Sequence, residues 1–342
     1  MAEAMKRSYG NVARQTLGYL IAAGCLVWVF HDVDGGELLA QARSIRWDWV
    51  AAAIALDVLS YVCQGVRWRF LLQPAGGISL LRATQAIYAG LFTNEIVPLR
   101  AGELVRAYLV SRWRAIAFMD VLPSIAVERF FDGIWLAVGI GLTAIFVRLP
   151  DNLIRAADVL GVAVLLAAAL LVALVIRRKR EPAGPHPGPE RLPKPLRLLA
   201  TLLDRLARGI GGIGMSRYFY YSLFSSPLIF ACQILAFWCV MEACGLGLPL
   251  WTGAAVFMIL YLGTAIPNTP SNIGTYQFFT VLGLSLFGVE KTTAAGFSVA
   301  VFVILTVPLW ALGIVAIAGT GMRLKDIRNE IGTLISRSGE RS

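Results

Sequence analysis

The sequence predicts an all-α, polytopic helical membrane protein with about six full spans and two oppositely oriented re-entrant helical hairpins that form an inverted repeat. Three observations predict it. Of 342 residues, 57% are apolar and 15% charged, against roughly 45–50% and 25% in soluble domains, and the mean hydropathy is +0.68. Apolar runs recur at the length of about 20 residues that a helix needs to cross the hydrocarbon core. Lysine and arginine concentrate in alternate loops, as the positive-inside rule requires.

The full-length runs lie at 15–33, 48–66, 121–147, 159–176, 218–244 and 293–318. Lys6, Arg7 and Arg14 precede the first, which would fit a signal peptide. With no small-x-small cleavage site after it and further spans downstream, it reads as an uncleaved anchor. Two other apolar regions, 84–113 and 251–288, are broken in the middle by Pro, Gly and polar residues. The piece 101–113 gives roughly 20 Å of helix, too short for a core of about 30 Å. Each region therefore reads as a re-entrant hairpin; the alternative is a pair of full spans joined by a short loop.

Placing the N-terminus in the cytoplasm puts 23 Lys and Arg in the cytoplasmic segments 1–14, 67–82, 112–114, 177–217 and 323–342. The external segments 31–48, 148–156 and 288–292 hold five. Both termini are then cytoplasmic. Residues 1–342 form a single transmembrane domain, with an N-terminal half at 15–176 and a C-terminal half at 196–320. The two halves share one plan in opposite orientation, a transporter signature with its site near mid-bilayer. Between them, 177–195 is charged and proline-rich, a cytoplasmic linker. LRLLATLLDRLARGI at 196–210 has helical apolar spacing with Arg197, Arg205 and Arg208. It reads as an amphipathic helix on the inner surface or one packed on the bundle. ELLAQARSIRWDW at 37–49 is its shorter counterpart on the outer surface.

Composition also excludes function classes. The net charge of +10 would suggest nucleic-acid binding in a soluble chain, but here the basic residues flank apolar runs, so no nucleic acid is expected. Cys25, Cys63, Cys232, Cys239 and Cys244 form no CxxC pattern, and His31 and His186 are the only histidines. Neither a disulfide framework nor a metal site is expected, and no cofactor is implied.

Ionisable groups at membrane depth cost about 2.5–3.5 kcal/mol each on insertion scales, so each needs a partner or a task. The first broken region holds Glu95, Arg100, Glu103 and Arg106; the next span holds Glu128, Arg129 and Asp132. Glu103 and Arg106 share a helix face, as do Glu128 and Asp132. Two carboxylates on one face call for a cation between them, and Arg100 or Arg106 is the candidate. Pro98 and Gly102 punctuate the break, so a helix restarts there with its partial positive charge aimed inward. Beside arginine forks, that end suits a phosphate. The same cluster also reads as a buried ionic lock between hairpin and bundle.

The second break, IPNTPSNIGTYQFF, offers Asn268, Asn272, Tyr276 and Gln277 to a head group. Thr269 fits an N-cap and Pro270 the first helical position; capping and interhelical hydrogen bonds are the other use of these polar groups. Arg67 and Arg69 in GVRWRFLL read as anchors snorkelling beside Trp68, or as inner-leaflet phosphate ligands.

The run NEIVPLRAGELVRAYLVSR, followed by AVERFFDGIW and IPNTPSNIGTYQ, resembles the flippase-like transmembrane domain of lysylphosphatidylglycerol synthases, over roughly residues 15–320. That family includes the membrane half of the multiple peptide resistance factor and stand-alone proteins of this size. The resemblance implies a prokaryotic inner-membrane protein that moves an anionic or head-group-modified lipid between leaflets. The chain stops about 20 residues after its last predicted span, so synthase chemistry is not carried over and no catalysis is expected. At the second break Gln277 stands where an acid is common in the family, which weakens the case for a cationic substrate or for a proton-carrying acid at that position.

The leading expectation is thus a lipid transporter whose partner is a phospholipid or polyprenyl-phosphate-type lipid, with room for a homo-oligomer. Two alternatives remain. One is a polyprenyl-phosphate-dependent glycosyltransferase using Asp32, Asp34 and Glu37 in the first outer loop, aspartates being good divalent-cation ligands. The other is a small-anion transporter.

Overall fold

The computed structural model describes residues 2–97, 101–147, 209–214, 216–265 and 269–321, together with helical positions 155, 159, 161–163, 165, 166, 169 and 173. The structure is all-α, and no strand occurs among the described residues. In chain order the helices are α1 (Ala2–Phe30), α2 (Gly35–Arg43), α3 (Trp47–Leu71), α4 (Leu80–Ile96), α5 (Gly102–Arg114) and α6 (Phe118–Phe146). They continue with α7 (Arg217–Ala243), α8 (Leu250–Gly263), α9 (Thr275–Ser285) and α10 (Lys291–Ala318). The predicted span 159–176 is described only at scattered positions. The linker 177–195 and nearly all of 196–210 lie outside the described residues.

Four of the predicted spans are single helices long and apolar enough to cross a membrane: α3, α6, α7 and α10. The apolar part of α1 is followed by α2 at an angle of 85°. α2 buries none of its residues and begins on Asp34, whose Oδ1 accepts the N–H of Gly36 at 2.6 Å. Asp34 is thus an ordinary helix cap.

Both broken regions are pairs of short helices. α4 and α5 have 17 and 13 residues, and α8 and α9 have 14 and 11. At 1.5 Å per residue none exceeds about 26 Å. Val97 takes an extended conformation and ends α4. Gly102 opens α5, its N–H donating to Asn94 Oδ1 at 2.8 Å. The two helices cross at Gly90 and Gly102, where a Cβ on Gly102 would collide with the Gly90 carbonyl. Glycine is required at this crossing because backbone meets backbone.

The second break differs from its prediction in one respect. Thr269 caps only a 3₁₀ turn, Pro270–Asn272, and its hydroxyl donates to the Ile273 carbonyl. Helix α9 restarts at Thr275, because Ser271, Asn272 and Gly274 all have positive φ and interrupt the chain first. Gly274 (φ +90°) also packs so close to the backbone of Ala22 in α1 that a Cβ would not fit.

Helices α3 and α7 form the central pair and pack along their lengths. Small and hydroxyl-bearing residues allow the approach, and Ser222 Oγ donates to the Arg67 carbonyl at 3.0 Å, a device suited to apolar surroundings. Pro227 cannot donate to the Leu223 carbonyl one turn back; Trp135 Nε1 of α6 donates to it instead at 3.1 Å. Around this pair the helix neighbours correspond between halves. α4 packs on α3, α5 and α10, while α8 packs on α7, α9 and α6; α5 meets α6 as α9 meets α10. The neighbour pattern of α3–α4–α5–α6 thus corresponds to that of α7–α8–α9–α10. The two breaks meet where Ser271 Oγ donates to the Glu95 carbonyl at 3.0 Å.

Gly102→Ala should overpack the α4–α5 crossing and destabilise the protein by about 1–3 kcal/mol. Thermal unfolding in detergent will show the loss; a wild-type midpoint would contradict the crossing geometry.

Candidate functional site

Six charged side chains converge from α3, α5 and α6. Glu128 is 1% exposed, as is Arg67. Arg67 of α3 spans both acids of α6, with Nη2 at 3.1 Å from Glu128 and Nη1 at 2.6 Å from Asp132. Arg106 of α5 grips Glu128 with both terminal nitrogens, at 2.9 and 3.1 Å. Arg129 reaches Glu103 of α5 at 2.9 Å and Asp132 at 2.9 Å. Three guanidinium groups therefore face three carboxylates, and paired charges avoid most of the cost of burial that isolated ones would carry.

Among the described residues the cation that bridges Glu128 and Asp132 most closely is Arg67, with Arg129 beside it; Arg106, a predicted candidate, pairs with Glu128 alone. α3 continues to Leu71, so Arg67 lies a full turn inside the helix and is buried rather than snorkelling. Nor does Glu103 pair with Arg106 three residues on; Arg106 turns towards α6, its guanidinium 4.8 Å from the Trp68 ring. Trp68 is itself fixed by donating to Ser124 Oγ at 3.0 Å. Arg67 also touches the second half, donating to Ser226 Oγ of α7 at 3.3 Å.

One edge of this network opens into a cavity of about 260 Å³ between the two halves. The first half contributes Tyr61, Gln64, Arg67, Asn94, Glu95, Glu103, Arg129 and Asp132 to its wall. The second half adds Gln233, Tyr261, Thr264, Thr269 and Asn272. Arg129, with 41% of its side chain exposed, is the most accessible cation of the network. The Nε1 of Trp310 donates to Glu95 Oε2 at 3.4 Å.

Of the predicted site residues, Arg67, Glu95, Glu103, Arg129, Asp132 and Asn272 line this cavity. Arg106 and Glu128 sit behind it in the network. Gln277 does not face it: its Oε1 accepts the Gly274 N–H at 2.8 Å and caps α9. Its identity therefore carries no information about substrate charge. Tyr276 packs edge-on against Phe302. Arg100 and Asn268 lie outside the described residues. Sequence reasoning missed Asp57, Tyr61 and Gln64. Their spacing with Arg67, at i, i+4, i+7 and i+10, marks one polar face of an otherwise apolar helix.

Of Asp32, Asp34 and Glu37, the first two are otherwise engaged. Asp34 caps α2, and Asp32 lies 2.7 Å from His31 and 3.7 Å from Lys291. His31 first, and Lys291 with it, hold the Asp32 carboxyl below its ordinary range.

The family described as Lysylphosphatidylglycerol synthase TM region matches residues 15–313. The chain belongs to this family. Within that frame it is 27% identical over 304 residues to a UPF0104 membrane protein of Methanothermobacter thermautotrophicus, covering 84% of this chain and 85% of that protein. It is also 30% identical over 148 residues, 43% of this chain, to Glycosyltransferase AglD of Haloferax volcanii. The chain spans only 24% of the length of that second relative.

Because Arg67 holds two buried acids, Arg67→Met should cost about 3–5 kcal/mol. Arg129→Gln, at a half-exposed site, should cost no more than about 1 kcal/mol. Denaturant titration of both variants checks the order; equal losses would contradict the assigned burial.

Proposed function

We propose that the protein moves a phosphate-bearing lipid between leaflets, its head group passing through the cavity while the acyl chains stay in the bilayer. The observation that carries this reading is the cavity itself. It is polar, lies between two repeated halves, is lined by both breaks and has Arg129 on its wall. At about 260 Å³ it is nearer the size of a head group than of a whole lipid, since sites for drug-sized ligands run to about 300–1,000 Å³. Arg129 would meet the phosphate, with Arg67 behind it. Glu103 and Asp132 would receive Arg129 again once the phosphate leaves.

In this reading the repeat is inverted. The short pairs α4–α5 and α8–α9 enter the membrane from opposite faces and meet at mid-depth, where Ser271 touches Glu95. The bias of Lys and Arg supports both termini lying in the cytoplasm, and the reading takes the membrane to be a prokaryotic inner membrane.

The likeness to AglD supports a second reading, glycosyl transfer from a lipid-linked donor. Its outer-loop acids are less suited to it, because Asp34 is a helix cap and Asp32 is paired.

In proteoliposomes, wild-type protein should equilibrate a fluorescent phospholipid across the bilayer, and Arg129→Gln should slow this about 10–100-fold, the worth of a charged hydrogen bond. Transfer at the wild-type rate in Arg129→Gln would remove the phosphate contact. Sugar transfer from polyprenyl-phosphate sugars by the same preparation would favour the second reading.

A further inference from the structure

Asp57 stands near the middle of α3 and has no place in the network described above. It is 5% exposed, and its Oδ2 has no hydrogen-bond partner among the described residues. Tyr88 of α4 is 6% exposed, and its hydroxyl also lacks a partner. Two orphaned oxygens, one of them a carboxylate's, therefore share one buried region. The groups that interact there are Tyr61 on the same helix, Tyr88 on α4 and Tyr276 on α9. Glu95, at the end of α4, acts on Tyr61 and Tyr276. Neither α6, α7 nor α10, the other helices packed on α3, contributes a charged or titratable group to Asp57 among the described residues.

Among the described residues no basic side chain balances this carboxylate. Arg67, ten residues further along α3, is about 15 Å away by helix rise and already holds Glu128 and Asp132. A bare buried carboxylate is too costly to persist, and removing the partner of a buried charge typically costs several kcal/mol. Something positive must therefore accompany Asp57, and the unpartnered oxygens are hard donors of the kind that small cations prefer.

We propose that Asp57, with the Tyr88 hydroxyl, forms a buried site for one small monovalent cation, a proton or an alkali ion. Tyr61 connects the site to the cavity. It lies one turn from Asp57 on the same face of α3, and it lines the cavity wall. Tyr61 and Tyr88 meet edge-on at 5.5 Å, so cation and head group are separated by one tyrosine. Because Asp57 and Tyr88 belong to the first half and Tyr276 to the second, occupancy depends on how the halves meet. If the lipid-transfer reading holds, this site is where an ion gradient would act on that motion.

The test uses purified full-length protein in detergent and reads thermal unfolding, so it does not depend on transfer. The folded site holds a cation that the unfolded chain does not, so stability rises with cation concentration. For a proton this means that stability rises as pH falls. Wild type should gain about 2–4 °C either on replacing choline chloride with sodium or potassium chloride at pH 8, which identifies an alkali ion, or only on acidification in choline chloride, which identifies a proton. Asp57→Asn should lose that response. Tyr88→Phe, which keeps the ring, should need a higher cation concentration for the same gain, and it stands as the test if Asp57→Asn fails to fold. Identical salt and pH responses in wild type and both variants would overturn the site, whatever the transfer assay shows.

Discussion

Glu128 is held by guanidinium groups that arrive from two other helices, Arg67 from α3 and Arg106 from α5. Neither arginine would tolerate its buried position without that carboxylate, and the carboxylate would not tolerate burial without them. This mutual requirement ties the broken element to the two long helices on either side. Trp68 and Ser124 fix the far side of Arg106, and Ser226 carries the link across to α7. Rigid support of this kind lets one edge of the network stay exposed without loosening the rest.

That exposed edge is where the proposed function is placed. Arg129 shares carboxylates with Arg67 but keeps much of its side chain open to the cavity. A phosphate entering there would exchange one set of anionic partners for another rather than fill an empty charge. Such an exchange suits a protein that must release what it binds. The breaks in α4–α5 and α8–α9 bring Asn94, Thr269 and Asn272 to the same wall. In the proposed reading the breaks lie at membrane depth, where irregular backbone is tolerable because it lines a polar space.

Much of the frame was legible in the sequence. Hydropathy located α3, α6, α7 and α10 within a few residues, and Pro and Gly marked both breaks, because each signal is local. The charged cluster was legible as a set but not as a set of pairs. Glu103 and Arg106 share a helix face by spacing, but spacing does not name their partners, which tertiary packing makes Arg129 and Glu128. Arg67 was misplaced because the apolar run ends before the helix does. Asp57 escaped notice as a single acid in a run of Ala, Ile and Leu, although its spacing with Tyr61, Gln64 and Arg67 was there to read. For Gln277 the sequence left head-group ligand and helix cap both open, because nothing local distinguishes the two; the structure makes it the cap.

The central claim is that the cavity edge of this network receives a lipid phosphate. Native mass spectrometry of the purified protein, after controlled delipidation, tests it most directly. The account predicts that wild type retains a phospholipid-sized adduct and that Arg129→Gln loses it while Asp34→Asn keeps it. Equal retention by wild type and Arg129→Gln would contradict the claim.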